Sequence, residues 1–316
     1  MGSESSKPVD DHVRTDTTPI FSVVNTEEVT VVNDDDGYEI QCKLWTAKEG
    51  QRSARAMAVY IHGGIFSRND KNSHQNVIES LVKDCGITIL SANFRDGGTG
   101  SVTYQSGKTI SDLQSITKYL KQRSSIISDD PDSKNKNKNN LLPLGIIGSS
   151  SGGYFALQLC NSFQSFEEVA NDLNIQFCIP ICPVADPFKR AMYLKEYCIE
   201  RNEAPQDSPY YVRHTVEQAK FILHHQLKYF QNFEQMKFAT EEIVENKYNI
   251  PTLVIVGAND ANVPYQVTQH VQHTWSYRTI LLGQNCGHEI QMDIPTTHPN
   301  LNYIPDIDRF LNEYCT

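Results

Sequence analysis

Residues 145–154 read Gly-Ile-Ile-Gly-Ser-Ser-Ser-Gly-Gly-Tyr, an apolar run entering Gly-x-Ser-x-Gly with Ser150 at its centre and a helical pattern behind it. A serine on a sharp strand-to-helix turn needs small residues two before and two after it, because backbone and neighbouring elements crowd there. Gly148 and Gly152 meet that need, whereas Ser149 and Ser151 do not have glycine at both offsets. The chemistry such a turn serves is nucleophilic attack, since the N-terminus of the following helix stabilises negative charge developing beside the serine. The competing reading is a Gly/Ser-rich turn without chemistry.

A serine hydroxyl attacks only when a base takes its proton, so a carboxylate and then a histidine are expected later in the chain. Asp260 follows the apolar run Leu253-Val254-Ile255-Val256-Gly257, just beyond the end of what reads as a parallel strand. His288 stands in a loop after the next apolar run, and Gly287 frees that loop to turn the imidazole inward. Asp260 could instead cap a helix beginning near Pro264. Asp186, also just past a strand, is a rival acid, and His288 could be a surface-loop histidine. Two other pairs are expected to be solvated faces rather than metal ligands. His224 and His225 diverge by about 100° on a helix, and His270 and His273 share a face with no nearby acidic third ligand.

Acyl transfer also requires N–H donors where the tetrahedral oxyanion forms. The His62-Gly63-Gly64 turn follows the apolar run Ala56 to Ile61, and its glycines let backbone approach a substrate. The N–H groups of Gly63, Gly64 and Ser151 are the candidate donors. A tight turn of purely structural purpose is the alternative.

The elements around these residues alternate. Two β-like runs, Glu28 to Val32 and Tyr38 to Trp45, flank Asn33-Asp34-Asp35-Asp36-Gly37 and predict a hairpin. Strands are expected at 56–61, 87–94, 144–147, 176–182, 252–257 and 278–282. Helices are expected at 73–83, 110–121, after Gly152, from Ser165, at 265–275 and at 304–314, with Ser165 and Glu168 at capping-box spacing. That rhythm predicts an α/β fold with a parallel sheet covered on both faces. Residues 186–249 read as helical and aromatic, too long for a simple crossover, and are expected to be a helical lid inserted in a core of 21–185 and 250–316. Residues 1–20 read as a disordered tail, and the Asp-, Lys- and Asn-rich segment 124–140 as a solvent loop.

With 38 acidic and 28 basic residues the net charge is −10, which disfavours nucleic acid and anionic membrane surfaces as partners. The eight cysteines are scattered among apolar residues and read as buried thiols. Cys178 and Cys182 lack the second pair that a zinc site needs. No signal-peptide core opens the chain, and no apolar run approaches the roughly 18 residues of a membrane span. A cytoplasmic setting is expected.

Taken together, His62-Gly63-Gly64, Asn93-Phe94-Arg95, Gly148-Ser149-Ser150-Ser151-Gly152-Gly153, Gly257-Ala258-Asn259-Asp260 and Gly287-His288 resemble the α/β-hydrolase superfamily, and within it the carboxylesterase, hormone-sensitive-lipase-like branch. The resemblance spans about residues 28–315. It implies an eight-stranded, mostly parallel sheet, a helical cap, and hydrolysis of a small-molecule ester without cofactor or metal. By it, Ser150 is the nucleophile, His288 the base and Asp260 the orienting acid, with the Gly63, Gly64 and Ser151 amides as oxyanion hole. A homodimer is compatible with it. The branch usually carries His-Gly-Gly-Gly, and here Ile65 takes the third glycine's place, which keeps a backbone donor and adds an apolar side chain to the pocket. Amide or aryl-formamide hydrolysis, acyl transfer or lyase chemistry on the same triad, and a non-catalytic receptor or scaffold of the same fold are the alternatives.

Overall fold

Short β-branched and aliphatic runs, each ended by turn residues, form eight strands in the computed structural model. The structure describes residues 23–95, 108–127, 142–202, 214–275, 278–282, 286–291 and 302–315. The strands are β1 (Asn25–Val32), β2 (Glu39–Thr46), β3 (Ala56–Ile61), β4 (Ile87–Ala92), β5 (Leu144–Ser149), β6 (Ile175–Ile181), β7 (Leu253–Gly257) and β8 (Arg278–Leu282). They make one sheet in the order β1-β2-β4-β3-β5-β6-β7-β8. β1 pairs with β2, and β2 with β4, antiparallel; the other neighbours are parallel.

Between the strands run α1 (Gln75–Cys85), α2 (Lys108–Ile127), α3 (Ser151–Ser162), α4 (Pro187–Met192), α5 (Val216–Phe230), α6 (Phe233–Glu241), α7 (Tyr265–Thr274) and α8 (Ile304–Tyr314). Side-chain alternation divides the core between the two faces of the sheet. Met57, Val59, Ile61, Val254 and Val256 pack on the face covered by α2, α3 and α7, whereas Ala56, Ala58, Tyr60, Leu253 and Ile255 pack on the face covered by α1 and α8. Strands buried on both faces appear as unbroken apolar runs, as β3 and β7 do. On α8 the buried Ile304, Ile307, Phe310 and Leu311 form one stripe, each side chain contributing about 1.5–3 kcal/mol of burial.

Three expectations shift in detail. α2 runs to Ile127 rather than ending near Lys121, because its buried stripe of Leu113, Ile116, Thr117 and Leu120 continues to Ser124. After α3 the chain makes a π-helical turn, Glu168–Asp172. Ser165 accepts the Glu168 N–H at 3.1 Å as foreseen, but the Glu168 carboxylate takes the N–H of Gln164, at 2.8 Å.

In the expected insertion, α4 continues into a π-helical segment, Tyr193–Glu200, followed by α5 and α6. Thr215 and Gln218 close a reciprocal capping box on α5, and Asn232 caps α6. Ala191, Leu194, Cys198, Ala219, Ile222 and Met236 join the core cluster on the α3 face. The tail expected over 1–20 and most of the loop expected over 124–140 lie outside the described residues. Seven cysteines are buried and Cys315 is half-buried. No helix among the described residues is long and apolar enough to cross a membrane.

Candidate active site

Parallel strands deliver their carboxyl ends to one edge of the sheet. β3 leads through α1 to β4 on one side, and β5 leads through α3 to β6 on the other, so strand order reverses between β3 and β5. That reversal opens the crevice where α/β sheets collect ligands. The residues just past β3, β5, β7 and β8 are those singled out by sequence: Gly63, Ser150, Asp260 and His288.

Ser150 has φ 55° and ψ −117°, a backbone conformation unusual for a residue with a side chain, at a cost of about 1–3 kcal/mol. The turn is pinned on both sides: the Ser150 N–H donates to the Ile181 carbonyl at 2.8 Å, and the Ser150 carbonyl accepts from the Val184 N–H at 3.0 Å. A Cβ on Gly148 would stand 2.2 Å from the Gly152 carbonyl oxygen, and one on Gly152 would stand 2.1 Å from that of Ile61. The two glycines are therefore steric requirements. The second of these contacts also brings the 62–64 turn alongside the serine.

His288 touches both other residues. Its Nε2 lies 2.9 Å from Ser150 Oγ, and its Nδ1 lies 2.7 Å from Asp260 Oδ2. A carboxylate only accepts, so Nδ1 carries the proton and Nε2 is left to accept the serine hydroxyl. Asp260 Oδ1 accepts the N–H groups of Asn262 and Val263 at 2.8 and 2.7 Å, which fixes the carboxylate within its own loop. Asp260 does not cap α7, whose N-cap, Pro264, makes no side-chain bond. The rival Asp186 does cap a helix: it accepts the Lys189 N–H of α4 at 2.8 Å and the Thr240 hydroxyl at 3.2 Å.

The N–H groups of Gly63 and Gly64 donate to no other group among the described residues. The N–H of Ser151, the first residue of α3, has no intrahelical acceptor. Unspent backbone donors in a buried turn are uncommon. Ile65 stands in the left-handed region at φ 58°, followed by Phe66 at 63°, so the position that glycine occupies in related turns is here held by a β-branched residue.

Several residues near the site left no trace in the sequence pattern. Cys182, at the end of β6, places its sulfur within 4.8 Å of donor atoms on Asp260 and His288. These three are the one group spaced like metal ligands among the described residues, although two of them are already hydrogen-bonded to each other. The Tyr60 hydroxyl links Ser149 Oγ, at 2.6 Å, to His74 Nδ1, at 3.0 Å, directly beneath the elbow. Arg190 of α4 is fully buried. It donates to the Asn262 carbonyl at 2.9 Å, to Gln226 Oε1 at 3.0 Å and to Asn262 Oδ1. Burial draws its pKa down to about 10, so it stays cationic near neutrality, and the charge of Asp260 supports that form.

Two histidines depart from the solvated faces expected for them. His225 is half-buried against Ser67, with Nδ1 2.7 Å from the hydroxyl. His270 is also half-buried, with both ring nitrogens enclosed, and burial lowers its pKa. Each turns toward packed structure because the α5 and α7 faces that carry them meet other elements.

A family model described as alpha/beta hydrolase fold matches residues 58–268. Among solved structures the chain is similar to brefeldin A esterase, a bacterial homologue of human hormone-sensitive lipase, at 14% identity and TM-score 0.68, covering 96% of this chain and 80% of that one. It is similar to carboxyl esterase 2 of the mycorrhizal fungus Tuber melanosporum at 14% identity and TM-score 0.63, covering 95% and 90%. It is also similar to a hyperthermophilic esterase from the archaeon Pyrobaculum calidifontis at 16% identity and TM-score 0.62, covering 92% and 85%. At these identities the likeness is one of fold. No curated protein sequence matches the chain.

Proposed function

The chain belongs to the alpha/beta hydrolase fold family, and on that footing we propose that it is a serine carboxylesterase cleaving a small or medium carboxylic ester through an acyl-enzyme on Ser150. The observation that carries this reading is one imidazole, His288, within hydrogen-bond reach of both the Ser150 hydroxyl and the Asp260 carboxylate.

In this reading Ser150 Oγ attacks the ester carbonyl carbon as its proton passes to His288 Nε2. The imidazolium is stabilised by Asp260, which remains ionised. The carbonyl oxygen, now an alkoxide, is met by the N–H groups of Gly63, Gly64 and Ser151, where each donor of this kind is worth about 2.7–4 kcal/mol in activation energy. Collapse of the intermediate breaks the bond to the alcohol oxygen, which takes the proton from Nε2. Water then repeats the sequence on the acyl-enzyme, releasing the acid and restoring Ser150. The helices between residues 186 and 249 act as a cap over the core domain and select the acyl and alcohol groups, a role supported by the Arg190–Asn262 contact that joins α4 to the loop of Asp260.

The test is a fluorophosphonate probe with peptide mapping, beside an assay on short-chain p-nitrophenyl esters. The expected result is an adduct at Ser150 and ester turnover, both lost in Ser150→Ala. Turnover surviving in that variant, or a folded protein that neither labels nor turns over, overturns the reading.

A further inference from the structure

The carbonyl of Gly63 is held twice, accepting from Asn69 Nδ2 at 3.0 Å and from His62 Nδ1 at 2.9 Å. In a trans peptide the carbonyl of one residue and the N–H of the next point in opposite directions, and the described residues contain no cis bond. Two donors gripping the Gly63 carbonyl on one side therefore aim the Gly64 N–H to the other, where it has no protein acceptor among the described residues.

The turn that follows is held in an unfavourable shape. Ile65, Phe66 and Asn69 have φ 58°, 63° and 73°, and a Cβ on Gly64 would collide with the Arg68 backbone. A β-branched residue enters the left-handed region only when surrounding contacts impose it. One face of α5 supplies those contacts, through Phe221, His225 and Tyr229 at successive four-residue steps. Phe66 stacks on Tyr229 with ring centroids 5.1 Å apart. The Ser67 hydroxyl pairs with His225 Nδ1 at 2.7 Å. The Arg68 guanidinium lies 5.2 Å from the centre of the Phe221 ring.

We propose that Asn69 and His225 are positioning residues for the oxyanion donors: Asn69 orients the Gly63–Gly64 peptide, and His225, through Ser67, holds the left-handed turn that Ile65 occupies in place of glycine. The inference rests on the esterase reading above. It makes α5 part of the machinery that readies the site, and it makes the clamp necessary because the third glycine is missing.

Asn69→Gly keeps the backbone conformation accessible and removes the donor; Asn69→Asp keeps the side-chain shape and offers only acceptors near neutrality. On p-nitrophenyl acetate both are expected to lose about 10- to 100-fold in kcat with KM within about twofold, since the interaction matters in the transition state. The affinity of a trifluoromethyl ketone, which forms a tetrahedral adduct on Ser150, should fall by the same factor as kcat/KM. His225→Ala should lose about 10-fold in kcat in the natural chain and less than twofold when Ile65→Gly is also present, because glycine adopts the turn unaided. Both Asn69 variants turning over at the natural rate overturns the role of Asn69. Equal losses for His225→Ala in the two backgrounds overturns that of His225. If the unaltered protein neither labels nor turns over, the esterase reading falls and this inference falls with it, an outcome distinct from an active parent with unimpaired variants.

Discussion

Gly257 and Cys286 touch backbone to backbone: a Cβ on Gly257 would stand 2.7 Å from the Cys286 carbonyl oxygen. The same carbonyl accepts the Asn259 N–H at 2.8 Å. The end of the strand that leads to Asp260 and the loop that carries His288 are thus one packed unit. The distance between Asp260 and His288 is set by main chain, with little left to side-chain reach.

Gly257→Ala is accordingly expected to push the 286–288 loop outward and cut kcat by about 100-fold, the scale of loss that accompanies a misplacement of about 1 Å. Ester kinetics beside a thermal melt check this. Full activity in a folded variant would mean that the loop yields without moving His288.

The two acids should separate cleanly. Asp260→Asn removes the acceptor that fixes the imidazole tautomer and should lower kcat by about 10⁴-fold. Asp186→Asn keeps a good helix cap and should leave the rate nearly unchanged, while Asp186→Ala should cost about 1 kcal/mol of stability. Denaturant titrations and kinetics of the three proteins decide it, and a large rate loss in Asp186→Asn would reverse the assignment.

Ser150→Gly should be more stable than the natural chain. Relief of a strained conformation is worth about 1–3 kcal/mol, and the greater freedom of unfolded glycine takes back about 0.5–1. Probe labelling should vanish as the denaturation midpoint rises by an amount equivalent to about 1 kcal/mol. A lower midpoint would show that the elbow is not strained.

Burial holds the His62 imidazole down to about 4, and burial followed by the neighbouring His62 and His288 holds His74 down to about 3. Both groups lie below their ordinary value of 6.5, so the unfolded chain protonates first as pH falls. Their contribution to stability is intact above pH 6.5 and shrinks from there to about pH 4 for His62 and about pH 3 for His74, by up to about 1.4 kcal/mol per pH unit for each group. Denaturation midpoints at several pH values should show this slope, and His74→Asn, which tolerates the left-handed φ of 63° at that position, should flatten it.

Much of the architecture was legible because it is local. Continuous apolar runs marked β3, β5 and β7, turn residues bounded them, and the elbow motif around Ser150 directed attention to Asp260 and His288, which the fold brings beside it. What stayed hidden is long-range side-chain pairing, which leaves no period in a sequence. Arg190 with Asn262, Tyr60 with Ser149, and His225 with Ser67 join positions dozens of residues apart. The unforeseen extension of α2 has a simpler cause: its buried stripe passes through Thr117 and Ser124, which hydropathy alone counts as polar.

The position of β8 gives the molecule an uneven resistance to unfolding. Among the described residues it is the outermost strand at its side of the sheet, pairing only with β7, and it is half-buried or exposed over four of its five residues. Edge segments of this kind open with less free energy than the whole domain. The imidazole rides on the chain just beyond that strand. Mild denaturant should therefore silence the enzyme while the fluorescence of Trp45, fully buried on β2 at the other side of the sheet and read alone in a Trp275→Phe background, still reads native, so inactivation would time the fraying of one margin and not the collapse of the core.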